Sequence, residues 1–168
     1  VGSGETDDYE DAGARKVLEG GGLCASRNKA IETALEEGKI CVQMSDDLRK
    51  FQIIHEEGEW IKPRNQQEAN ERSKYAVDVS PVVAAQYVEI HMRRMGARLG
   101  GAYVTMNKGF AMNTAPVATQ LFVVGDFLVI DPTSTPRFDL SMTLKEDYDF
   151  TAQHIHRYGV ATRVNRVF

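Results

Sequence analysis

The chain has 168 residues, a length at which one domain can bury a core without disulfides or a structural metal. Its 20 Lys and Arg against 24 Asp and Glu leave a formal charge of −4, and the basic residues are spread rather than clustered. That pattern argues against an electrostatic grip on nucleic acid or anionic lipid. No apolar run approaches the roughly 20 residues of a membrane span, and Val1-Gly2-Ser3-Gly4 followed by acidic residues has no signal-peptide pattern, so a soluble α+β domain is expected.

Starting without methionine, the chain reads as a fragment or as carrying a tag remnant, with residues 1–10 loose and 11–168 forming a single domain. Gly20-Gly21-Gly22 leads into the clearest helix, 24–35, where Ala30, Ile31, Ala34 and Leu35 fall at helical spacing and Gly38 is a natural stop. A short strand follows at 40–44, and 51–54 with 59–61 reads as a hairpin turning at Glu57-Gly58. The polar stretch 64–74 is a surface helix or loop. Pro81 opens a second long helix carrying Val82, Val83, Tyr87, Ile90, Met95 and Leu99, stopped by Gly100-Gly101. Strands are predicted at 102–106, 117–124 and 127–130, the last two joined by a hairpin turn at Gly125-Asp126. The segment 140–150 is ambiguous, and 159–168 is strand-like, so the C-terminal third reads as mostly antiparallel sheet.

Cys24 and Cys41 could form one bridge, but an ordinary globular composition is not that of a disulfide scaffold, and both read as free thiols. Cys24 falls in the first turn of the predicted helix, where unpaired backbone N–H groups and the helix dipole favour a thiolate. The same N–H groups can hold an oxyanion. The competing reading makes Cys24 a small core side chain, since free cysteine is among the most buried residues. Cys41, inside an apolar strand, reads as core.

The run Gly22-Leu23-Cys24-Ala25-Ser26-Arg27-Asn28-Lys29-Ala30 resembles the cysteine helix of bacterial protein-glutaminases and papain-fold effector toxins. The blocks 20–43 and 102–136 carry the resemblance, in which a strand beginning with the catalytic histidine turns back along a second strand ending in Asp-Pro, here Asp131-Pro132. The resemblance implies a papain-like fold, with the cysteine-bearing helix packed on an antiparallel sheet. It makes Cys24 the nucleophile and Asp131 the residue that orients the base. It puts that base at Ala115 or Pro116, where no histidine stands, either through an engineered change or in a natural pseudoenzyme.

With the base restored, the implied chemistry is deamidation of glutamine side chains on a target protein. Cys24 attacks the carboxamide, ammonia leaves, and water hydrolyses the thioester, with no metal or organic cofactor required. A secreted or injected effector acting in a target-cell cytoplasm follows from the same resemblance, as does a cognate inhibitor protein. The alternatives are a cysteine protease or acyltransferase on the same residues, and a catalytically silent protein-binding module. Asp131 could simply open a turn before Pro132.

Of the four histidines, His91 reads as an ordinary helix residue and His55 as exposed beside Glu56 and Glu57. His154 and His156 alternate like strand neighbours, without the further ligands that zinc needs. The acidic runs at Asp46-Asp47 and Glu56-Glu57 read as solvated turns. Gly20-Gly21-Gly22 lacks the Lys-Ser or Lys-Thr of a phosphate loop.

Overall fold

The computed structural model describes residues 4, 6–15, 17–18, 20–54, 63–105 and 107–168. The described chain runs α1 (Thr6–Asp11), α2 (Leu23–Glu36), β1 (Cys41–Met44), β2 (Phe51–Ile54), α3 (Gln66–Ser73), β3 (Ala76–Val79), α4 (Pro81–Arg94), β4 (Leu99–Ala102), α5 (Lys108–Met112), β5 (Val117–Ala118), β6 (Phe127–Ile130), α6 (Glu146–Tyr158) and β7 (Thr162–Val164). Five strands form a sheet in the order β1-β6-β4-β7-β5, and β2 pairs with β3 in a separate two-stranded ribbon.

The α+β class is as the sequence implies, but the main sheet is mixed rather than antiparallel, because β4 and β7 run parallel. Helices cover both of its faces. Phe127 and Val129 of β6 join Ala84, Val88 and Met92 of α4 in one core, with Phe51 and Ile53 of β2. The alternate residues Leu128 and Ile130 face the other way, into a second core with Cys24 and Ile31 of α2 and Phe150 of α6. Period-two alternation thus puts apolar residues on both sides of β6, so its sequence is a continuous hydrophobic run.

The helices begin where side-chain chemistry allows. Ser80 caps α4 by accepting from the Val83 N–H, with Pro81 in the first turn, and Asn65 caps α3 by accepting from the Glu68 N–H. The second long helix ends earlier than its periodicity predicts. Arg94 closes α4, Gly96 takes φ 69°, and Leu99, Gly100 and Gly101 belong to β4.

The two glycines there are strand residues demanded by close approach rather than helix stops. A Cβ on Gly101 would lie 2.5 Å from the Phe127 carbonyl oxygen and 2.3 Å from a Val123 methyl, and one on Gly100 would lie 2.8 Å from a Val88 methyl.

The predicted partner of β2, residues 59–61, lies outside the described residues. In the described chain β2 pairs with β3, in the register Phe51↔Val79 to Ile54↔Ala76. The C-terminus lies against the same strand. Phe168 and Gln52 exchange both backbone hydrogen bonds at 3.0 Å, and buried Arg166 donates to the carbonyls of Ala111, Met112 and Thr114 around the end of α5.

Three other expectations change. The segment 102–106 contributes only Ala102 to a described strand, and 117–124 only Val117 and Ala118. His154 and His156, alternating in sequence, lie on helix α6.

Gly101→Ala is expected to destabilise the fold by about 2–3 kcal/mol, because the clash is with backbone that no rotamer change relieves. Urea denaturation compared with an exposed control such as Gly21→Ala, where a Cβ would meet only the Ala25 Cβ at 3.5 Å, measures it.

Candidate functional site

Helix α2 lies antiparallel to β1, since the chain reverses through Glu37 and Gly38 and the Gln43 side-chain amide donates to the Arg27 carbonyl at 2.9 Å. Cys24, a turn before Asn28, therefore lies toward the Phe127 end of β6, where Arg27 also approaches Gly125. Cys24 is 6% exposed and its thiol donates to the Met142 carbonyl at 3.4 Å, so the loop 139–145 closes over it. Burial pushes the thiol pKa up, the carboxylates of Glu146 and Asp139 push the same way, and only Arg27 opposes them. Arg27 is itself held by Glu146 at 3.7 Å and lies over the Phe138 ring. The helix start is present, but its surroundings oppose a thiolate.

Asp131 follows the last residue of β6 and so lies at the far end of that strand, about 13 Å along by the rise of four residues. Its carboxylate accepts from the Thr133 N–H at 2.9 Å, from the Thr133 hydroxyl and from Arg98 at 3.2 Å, and the Ser134 N–H bonds the Asp131 carbonyl. This is the hydrogen bonding of a residue that opens a turn. Burial pushes its carboxyl pKa up, but the Thr133 donors and the Arg98 charge outweigh that and hold it below the ordinary range. Arg93, Gly96, Ala97 and Arg98 surround it in a polar cavity of about 240 Å³.

Ala115 and Pro116 precede β5, on the edge of the sheet opposite β1, and their carbonyls are bonded by Asn165 at 2.7 and 2.8 Å. Strands β4 and β7 separate β5 from β6, so the expected β5–β6 hairpin does not form. Segment 119–126 finds its hydrogen-bond partners elsewhere. The Val123 N–H and carbonyl bond the Thr151 hydroxyl, the Gly125 N–H donates to Asp147, and Arg163 donates to the Phe122 carbonyl. Helix α6 supplies Thr151 and Asp147, in place of the facing strand that sequence reasoning requires. Cys24, Asp131 and the expected histidine position are thus held in three different places.

A constellation that sequence reasoning missed is Ser134 with His154. His154 Nδ1 is 2.8 Å from the Phe150 carbonyl, which can only accept, so Nδ1 carries the proton. Nε2 then accepts from the Ser134 hydroxyl at 2.7 Å. These are the partners of a serine–histidine dyad, but Ser134 is 2% and His154 0% exposed, with Phe150 and Tyr158 rings beside the imidazole. Burial depresses the His154 pKa to about 4, against a smaller upward push from the Phe150 carbonyl, and Arg137 adds to the depression. The imidazole is held neutral inside a sealed core. Helical spacing of Phe150, His154 and Tyr158 is the sequence signal that would have found it.

Among the described residues no cluster of three or more His, Cys, Asp or Glu has the geometry to hold a metal, and no helix is long and apolar enough to cross a membrane. No family model, curated protein or solved structure matches the chain.

His154 predicts a pH dependence of stability. Its folded pKa, about 4, lies below the ordinary 6.5, so between those values the unfolded chain binds the extra proton and stability falls as pH drops. Urea unfolding is expected to lose on the order of 1 kcal/mol per pH unit across that window. His154→Gln, less stable at pH 7, should flatten the slope.

Proposed function

We propose that this chain is a catalytically silent protein-binding module on an α+β scaffold. The observation that carries this reading is the environment of Cys24. The thiol is buried, bonded to the Met142 carbonyl, pushed toward its protonated form, and remote along β6 from Asp131. Catalysis needs a nucleophile, a base and a place for the reacting carbon within reach of both, and here Cys24 and Asp131 lie toward opposite ends of β6 while Ala115 and Pro116 lie beyond β4 and β7. A binding role draws support from large apolar side chains left in solvent, with Leu140 70% and Leu144 78% exposed on the loop that covers Cys24.

A second reading, a protein-glutamine deamidase acting on a target protein as a bacterial effector, has one observation in its favour. Cys24 is in the first turn of α2, and the N-cap Gly22 provides no side-chain bond, so N–H groups at the helix start remain for a thiolate or an oxyanion. That reading requires the loop 139–145 to withdraw and a base to arrive.

Thiol alkylation followed by mass-spectrometric mapping separates the two, with Cys41 as internal comparison because burial also raises its pKa. The silent module predicts that both thiols react about a hundredfold slower than a free cysteine at neutral pH, and together only on unfolding. Fast alkylation of Cys24 alone, well below the reference thiol pKa of about 8.5, would reverse the choice in favour of the deamidase. Ala115→His is expected to release no ammonia from glutamine-bearing proteins. Ammonia release that depends on Cys24 would contradict the silent module.

A further inference from the structure

Between the end of α4 and the end of β6 lies the polar cavity of about 240 Å³ lined by Arg93, Gly96, Ala97, Arg98 and Asp131. The backbone fixes its walls. After Arg94 the chain reverses at Gly96, with the Gly96 N–H bonded to the Arg93 carbonyl at 3.1 Å and the Ala97 N–H to the Met92 carbonyl at 3.0 Å. That reversal sets Arg98 beside Asp131, and the Asp131 N–H donates to the Arg98 carbonyl at 3.0 Å.

Each charged group in the cavity has bonding capacity left over. Asp131 accepts from the Thr133 N–H, the Thr133 hydroxyl and Arg98, and all three bonds end on Oδ1. The Asp131 side chain is only 4% exposed, yet among the described residues none donates to Oδ2, which is open to the cavity. A carboxylate oxygen in so buried a side chain needs a donor, and the cavity is where one can reach it. Arg98 spends one terminal nitrogen on Asp131, and Arg93 spends Nε on Glu89 at 2.8 Å. Nε and Nη2 of Arg98, with Nη1 and Nη2 of Arg93, have no partner among the described residues.

The signs decide what fits. A lone cation would meet two guanidinium groups, and a lone anion would meet the Asp131 carboxylate. A molecule with a carboxylate and an ammonium on neighbouring atoms satisfies both, its carboxylate on the spare N–H groups of Arg98 and Arg93 and its ammonium on Asp131 Oδ2. The volume lies just below the roughly 300–1,000 Å³ of pockets that hold drug-sized ligands, and the remaining wall is Gly96 and Ala97.

We infer that this cavity binds a free α-amino acid with a small side chain, in its zwitterionic form. A peptide carries those two charges at opposite ends, so a chain terminus does not match the pair. The inference rests on Asp131 and its arginines and holds whether Cys24 is silent or reactive.

Titration of the isotope-labelled whole chain with L-alanine, followed by amide chemical shifts, tests it. Saturable shifts at the Gly96, Ala97, Arg98 and Thr133 amides are expected below about 10 mM. Acetate and methylammonium, with one charge each, should bind at least about tenfold more weakly. Arg93→Gln, at an exposed position, should weaken L-alanine binding about tenfold with little change in thermal midpoint. Asp131→Asn keeps an acceptor for Thr133 and Arg98 but turns a donor toward the cavity, so L-alanine and acetate should then bind alike.

No saturable shift at those amides up to about 10 mM overturns the proposal. So does acetate binding as tightly as L-alanine to the unaltered chain, which would mark a plain anion site, or an L-alanine affinity indifferent to Arg93→Gln.

Discussion

Strand β6 has no face turned to solvent, and the rest of the molecule is arranged around that fact. Its four residues alternate between two apolar cores, one roofed by α4 and one by α2 and α6, while its backbone is bonded to β1 on one side and β4 on the other. A strand buried on both faces requires close neighbours, and β4 meets this requirement with Gly100 and Gly101. Val88 and Met92 approach Gly100, and Val123 with the Phe127 carbonyl approaches Gly101. Helix α4 could not lie as near to the sheet if Gly100 carried a side chain.

The same arrangement decides the chemistry. Filling the core on the α2 face uses Cys24, Phe138 and Phe150 as packing, and the loop that brings Phe138 inward continues over the thiol. Burial with two carboxylates nearby opposes the charge that a nucleophile needs, whatever the helix start contributes. Asp131, at the other end of β6, is committed to its own turn and to Arg98. The imidazole with a serine partner, His154, is interior and neutral, so its hydrogen bonds fix α6 to the turn after β6.

The two edges of the sheet differ. At one, β5 has only two residues, and Asn165 bonds the carbonyls just before it. At the other, β1 offers outward backbone groups beside an apolar groove without a charge on the strand.

The sequence by itself determined what depends on neighbours in the chain. Helix α2 follows from the spacing of Ala30, Ile31, Ala34 and Leu35, the start of α4 from Pro81, and β1 and β6 from short apolar runs, because helical period and the proline restriction act over a few residues. The α+β class and the core position of Cys41 were legible for the same reason. Tertiary structure alone decided which strands meet. Val117 and Phe127 flank a turn that looks like a hairpin, yet β5 pairs with β7, because Thr151 and Asp147 of α6 take up the backbone between them. Gly100-Gly101 resembles a helix stop until α4 and Val123 are seen against it, and His154 looks like a strand residue until Phe150 and Tyr158 fall on its side of a helix. Whether Cys24 and Asp131 could work together was likewise beyond local sequence, since their separation is set by the direction of α2 along β1, a property of packing between elements.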